Sequence, residues 1–218
     1  MAYWGGIGPW PSEISTAPCL SFPSCTWERP CPRSCASSYW HHAEPISRAW
    51  PHAACFVTST VVAWLPVFTT AARCDLLVQS FEYCRLHKGL KIYAWVILDN
   101  HFHAILSAPS LPCVLADLKR HTAQRILEQL EQEKVEWLLN QFGYFRAKHK
   151  SESRHQVWME GAHPQEIVSD ETMLQKMDYI HQNPVKRGLV AVEEHWRYSS
   201  AHEGVPGAMP VLRCDPWR

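Results

Sequence analysis

The sequence predicts an α+β domain built on an antiparallel sheet, with helices on one side of the sheet and one added C-terminal helix. Three observations carry this. Residues 53–62, AACFVTSTVV, form a β-branched run bounded by prolines. Residues 92–108 hold two apolar runs that meet at Asp99-Asn100, a pair suited to a turn. Between and after these segments, apolar residues recur at helical spacing.

Each element follows in order. After the first strand, Thr69-Thr70 can cap a helix whose apolar positions are Cys74, Leu77, Val78, Phe81 and Cys84, and Gly89 ends it. The hairpin comes next, then a loop over 107–112. A long helix follows, with Val114, Leu115, Leu118, Ile126, Leu127 and Leu130 on its apolar side. Residues 142–155 read as a basic loop containing Arg146, Lys148, His149, Lys150, Arg154 and His155. Residues 156–160 read as a fourth strand. Ser169 or Asp170 then caps a final helix running to about Gln182. The order describes a split β-α-β sheet, the ferredoxin-like arrangement, in which the third strand lies inside the sheet. Residues 188–190 and 196–200 are expected to pack back on the core, and the last residues to fray.

The chain has 218 residues and a formal net charge of zero, enough for one domain of ordinary size plus a tail. No global basic field announces nucleic acid, so any such footprint must be a local patch. Residues 1–52 differ from the rest, holding half of the sixteen prolines, five of the eleven tryptophans and few charges. Without a period of 2 or 3.6 they read as a disordered or adventitious leader. Cys19, Cys25, Cys31 and Cys35 within it lack the tight pairs of a zinc ribbon. The expected organisation is therefore a leader at 1–52, a domain at 53–201 and a tail at 202–218. Nine cysteines is an odd count, and Cys55, Cys74, Cys84 and Cys113 fall in apolar patterns that suit buried thiols. No secretory signal or bilayer-length apolar run is evident, which makes a reducing cytoplasm the expected setting.

His101 and His103 stand two apart on the third strand, so both imidazoles project from one face while Phe102 points away. Two convergent imidazoles make half of a divalent-metal site. With 13 histidines in the chain, about 0.8 such triplets arise from composition alone, so the pair gains meaning only from its surroundings. The final helix supplies them. Met173, Leu174, Met177 and Ile180 mark an apolar stripe, and Tyr179 is expected roughly opposite it, on a face shared with Thr172, Gln175, Lys176 and Asn183. Tyr179 and Asn183 are neighbours at i and i+4. An amide oxygen is a hard ligand suited to Mg²⁺ or Mn²⁺, which would complete a His-His-Asn triad beside a phenol. Asn183 precedes Pro184 and so is expected near or just past the helix end.

Phosphoryl transfer to tyrosine needs this set. A phenol, with an ordinary pKa near 10, is about one part in a thousand ionised at neutral pH and needs help to attack. A cation offsets charge on the scissile phosphate. In-line attack gives a phosphotyrosine link and a free hydroxyl, so the bond energy is kept for rejoining. Lys119, Arg120 and Arg125, with His121, form a basic cluster on the long helix.

The motifs LDNHFHAIL, LKRHTAQRI, VWMEGAHPQ, DYIHQNPVKRGLV and HWRYSS appear in that order. From about Ala53 to Ala201 the chain resembles the REP-associated tyrosine transposases. These are relatives of insertion-sequence transposases in the His-hydrophobic-His single-strand nuclease superfamily. The resemblance implies a ferredoxin-like fold, a metal-binding pair at His101 and His103, a nucleophile at Tyr179 and a further polar ligand at Asn183. It implies cleavage and rejoining of single-stranded DNA at hairpin-forming repeats, dependent on Mg²⁺ or Mn²⁺, through a 5′-phosphotyrosine with release of a 3′-hydroxyl. The setting it implies is bacterial and nucleoid-associated, with monomer and homodimer both open. Lys119, Arg120, Arg125 and Lys176 then become expected DNA contacts. Leu98-Asp99 departs from the Met-Pro usual before the motif. A catalytically silent hairpin-binding protein of the same fold is the alternative, and the intact triad argues against it. A zinc hydrolase finds no H-E-x-x-H or comparable carboxylate spacing.

Overall fold

The computed structural model describes residues 53–146, 153–161 and 164–217. The expected leader, with its four cysteines, lies outside the described residues, as do Lys148, His149 and Lys150 of the basic loop. The elements are β1 (Cys55–Thr60), α1 (Ala71–Lys88), β2 (Lys91–Ile97), β3 (His101–Ser107), α2 (Leu111–Gln132), α3 (Glu136–Tyr144), β4 (Gln165–Glu166) and α4 (Asp170–Lys186). The sheet has the order β2-β3-β1-β4 and every pairing is antiparallel. The predicted α+β, ferredoxin-like class therefore holds, with β3 inside the sheet and buried along its whole length.

The caps are those the sequence signals. Thr70 Oγ1 accepts the Arg73 amide at 3.4 Å, and Gly89 closes α1 at φ 64°, where a side chain would be strained. Leu98 N–H donates to the His101 carbonyl at 2.9 Å, which makes Asp99-Asn100 the corner of the β2–β3 hairpin. At the other end of the domain, Ser169 Oγ accepts the Thr172 amide at 3.1 Å and starts α4.

The two faces of the sheet are covered by different helices. Phe102 packs edge-to-face on Phe81 of α1 and on Trp158, whose indole N–H donates to Thr122 of α2 at 3.0 Å. The opposite face meets α4. There Phe56, Ala94, Val96, Leu98 and Ile105 form a core with Met173 and Ile180. Strand alternation puts His101 and His103 on this α4 side.

Several local expectations are corrected. The fourth strand is Gln165–Glu166, paired with Cys55 and Phe56, whereas in 156–160 only Trp158 makes an isolated bridge, to Val61. A two-residue edge strand has no room for an alternating pattern, so its pairing is set by position. The stretch after α2 includes a further helix, α3, which buries Leu138 and Phe142. The final helix does not stop near Gln182 but continues through Pro184 to Lys186, and Gly188 at φ 69° follows it. Cys55, Cys74 and Cys84 are buried, with burial pushing Cys55 up to about 11 and Cys84 to about 12, but Cys113 is only half-buried.

Residues 196–200 pack on the core as expected, with Tyr198, Ser199 and Ser200 buried. The last residues, expected to fray, also run along the open edge of β2. Ile97 N–H donates to the Tyr198 carbonyl at 2.9 Å, and the Trp95 indole donates to the Leu212 carbonyl at 3.0 Å. Asp215 accepts the Ile92 amide at 2.9 Å and returns its own to the Ile92 carbonyl at 2.7 Å. An edge strand left open is a template for misassociation, and this segment covers it. Among the described residues no helix is long and apolar enough to cross a membrane.

Candidate functional site: a histidine pair beside a tyrosine

The cross-strand register builds the site. Thr58 lies opposite His103, and its hydroxyl is 2.7 Å from His103 Nδ1. Asn100 Oδ1 is 2.6 Å from His101 Nδ1, and the Asn100 amide nitrogen donates to the Trp64 carbonyl at 3.2 Å. That second bond fixes which way the amide faces, so His101 carries its proton on Nδ1 and bares Nε2. The two Nε2 atoms face each other at 3.2 Å.

Two nitrogens about 2.1 Å from one cation, separated by about 100°, are about 3.2 Å apart, so the pair has the bite of a bidentate ligand set. Protonation does not compete near neutral pH. Burial, then Arg187, holds His101 down at about 4, and burial, then His101 and Lys176, holds His103 at about 3. Among the described residues no group of three or more His, Cys, Asp or Glu side chains gathers as a metal site. Asn183, the third ligand expected from the sequence, carries an amide and falls outside that set.

Tyr179 is not opposite the buried side of α4, as the apolar stripe predicts. It flanks that side, 41 % exposed, with its ring edge-on to His103 at 5.3 Å and to Phe56 at 5.8 Å. Leu174, placed in the stripe by its character, is instead exposed. The reason is the surface under the helix. There α4 crosses polar and aromatic residues of the sheet, and Lys176 takes an inward position with its ammonium 4.7 Å over the Phe56 ring. Asn183 is buried one turn from Tyr179, and its amide nitrogen donates to the Tyr179 carbonyl at 3.2 Å rather than to an imidazole. With the nitrogen so used, the oxygen is the atom left for a cation.

The expected DNA contacts divide. Lys176 sits in the site, bonded to Gln165 Oε1 at 2.8 Å. Lys119, Arg120 and Arg125 are on α2, behind the sheet from the histidines. Lys119 donates to the Met159 carbonyl at 2.9 Å, Arg120 pairs with Asp117, and Arg125 pairs with Glu128 at 2.6 Å.

Sequence reasoning missed Thr58, Asn100, Lys186, Arg187 and Trp64. Lys186 Nζ lies 5.5 Å over the Tyr179 ring, and Arg187 donates to Asp99 Oδ2 at 3.3 Å and to Asn100 Oδ1 at 3.2 Å. Thr58 was findable, since it sits on the predicted first strand where a cross-strand partner of His103 must fall.

No model of a known protein family matches the chain. A curated REP-associated tyrosine transposase from Haemophilus influenzae is 29% identical over 119 residues, 55% of this chain and 63% of the relative. The chain thus matches somewhat less than two thirds of that relative's length. A solved REP-associated tyrosine transposase, bound to a REP hairpin, superposes with a TM-score of 0.50 at 19% identity, over 75% of this chain and 86% of that one. In sequence and in fold, the chain is similar to the REP-associated tyrosine transposases its motifs resemble.

Proposed function

We propose that this chain is a Mg²⁺- or Mn²⁺-dependent tyrosine transposase that nicks and rejoins single-stranded DNA at hairpin-forming repeats. The observation that carries the proposal is the Tyr179 ring lying 5.3 Å from His103, whose Nε2 is 3.2 Å from that of His101. The likeness to a relative of that name, and to a solved one bound to a REP hairpin, supports the same reading.

His101, His103 and Asn183 would hold the cation, which when bound withdraws charge from the scissile phosphate. Tyr179 Oη attacks phosphorus in line and gives up its proton to solvent. The new O–P bond forms as the bond to the 3′-oxygen breaks, and that oxygen takes a proton to become a 3′-hydroxyl. The product is a 5′-phosphotyrosine, and the reverse attack by a 3′-hydroxyl rejoins the strand. Lys186 and Lys176, beside the phenol and His103, favour negative charge there. Lys119, Arg120 and Arg125 would serve parts of a hairpin remote from the cleaved phosphate.

The test is covalent capture. Single-stranded oligonucleotides carrying the palindromes that flank the gene, labelled at the 3′ end, are incubated with protein and Mg²⁺ and run on a denaturing gel. A labelled band at protein size, absent with Tyr179→Phe and with EDTA, is expected. Tight hairpin binding without an adduct would replace this reading with a silent binding protein.

A further inference from the structure

The backbone after β1 does something unusual for its sequence. Ala63 and Trp64 adopt left-handed φ values of 52° and 56° in succession, although neither is glycine or asparagine. A bulky residue there is strained and must be held by its surroundings. It is held from both sides. Trp64 N–H donates to the Val61 carbonyl at 3.0 Å, and the Trp64 carbonyl accepts Asn100 Nδ2 at 3.2 Å. Val61 N–H in turn donates to the Asn100 carbonyl at 2.8 Å. Asn100, which sets the tautomer of His101, therefore also fixes the turn that carries Trp64.

The result is an indole displayed at the histidine pair. Trp64 is 56% exposed, yet its ring meets His101 edge-on at 5.6 Å. Tryptophan is the largest apolar side chain, and folding gains little from leaving it in water. Trp137 of α3 is comparably exposed, with no ring contact among the described residues.

We propose that Trp64 is the stacking platform for one unpaired nucleobase of the DNA strand whose phosphate lies at the histidine pair. This rests on the function proposed above. Every base presents a π-face, so a single indole orients a nucleotide without demanding its identity. Held at the rim of the site, the stacked base would set where along the strand the phosphate reaches Tyr179.

The probe is the same palindrome-bearing oligonucleotide with its single-stranded flanks, and binding is read by fluorescence anisotropy with the non-cleaving Tyr179→Phe protein. Abasic sites are walked through the flanks one position at a time. One position beside the cleavage point should weaken binding about 5- to 100-fold when made abasic. Adding Trp64→Ala should cause a similar loss on the intact probe and no further loss at that position, while Trp64→Phe keeps most of the affinity. If Trp64→Ala binds as tightly as its parent, or if its loss simply adds to the abasic loss at every position, the platform is refuted. Adduct formation by the Tyr179-containing protein separates the two readings. Adducts with an unaffected Trp64→Ala variant sink only the stacking, whereas no binding to any probe sinks both.

Discussion

At Asn100 one amide serves three groups. Its oxygen accepts hydrogen bonds from His101 Nδ1–H and an Arg187 N–H, and its nitrogen donates to the Trp64 carbonyl. Thr58 does the simpler version of the same task for His103. Outer partners of metal-binding imidazoles fix ring orientation, and losing one costs about 10- to 100-fold in metal affinity. Asn100→Leu should therefore weaken Mn²⁺ binding by about that factor in a calorimetric titration, and Thr58→Val should do so less, since its partner is a hydroxyl. An unchanged Mn²⁺ affinity in Asn100→Leu, with circular dichroism still native, would remove the cation from the histidine pair. Asn100 as part of the hairpin turn is legible from sequence. Its second role is not, because it depends on a left-handed turn at Ala63-Trp64 that neither residue type signals.

Among the elements, α4 joins the two halves of the site, carrying Tyr179 and Asn183 while Arg187 just past its end grips the Asp99-Asn100 corner. Asp99 is where the sequence departs from the expected Met-Pro, and the structure gives it an arginine partner. Both side chains are about a third exposed. Solvent screening limits such a pair to at most about 1 kcal/mol. Arg187→Ala should accordingly lower unfolding free energy in urea by no more than about 1 kcal/mol, with Asp99→Ala coupled to it in a double-mutant cycle. A loss of several kcal/mol would mean that the arginine supports the core. The same helix marks the limit of sequence reading. Strands and helices α1 and α2 follow their hydrophobic periods because they pack on apolar neighbours. On α4 Met173, Met177 and Ile180 also face an apolar core, but the inward side is turned toward the histidines and Phe56 on the sheet, so Lys176 turns in and Leu174 out. Hydrophobicity alone thus finds the helix and most of its buried side, and misses the edge that carries Tyr179 and Lys176. Pro184 is tolerated near its end because a proline lacks only one helix N–H, while Arg187 N–H still reaches the Asn183 carbonyl at 3.1 Å.

For the whole molecule, the arrangement of histidines makes acid a threat to the fold. Burial, with Arg125 adding to it, holds His121 down at about 4, and burial also lowers His181. Unfolded, both titrate near 6.5. Between those limits the unfolded chain binds more protons, so stability is complete above about pH 6.5 and falls as pH drops toward 4. His121→Gln should flatten that part of the urea-midpoint profile, and an unaltered profile would show that His121 is not charged on unfolding.

Charge distribution makes a second demand at this scale. With a formal net charge of zero, the chain cannot attract a polyanion as a whole, and attraction must come from where its cations stand. Lys176, Lys186 and Arg187 are gathered around the phenol and histidines. On α2, Arg120 and Arg125 already face Asp117 and Glu128. For a single strand, each phosphate that the protein ceases to neutralise should reduce the slope of log affinity against log salt by about 0.7. Replacing Lys176 and Lys186 by Gln should therefore flatten the slope by about 1.4 for the palindrome-bearing oligonucleotide, while replacing Arg120 and Arg125 should change it by less than half as much. The opposite ranking would put the DNA on the α2 side of the sheet, away from Tyr179, and would leave the phenol without a phosphate to attack.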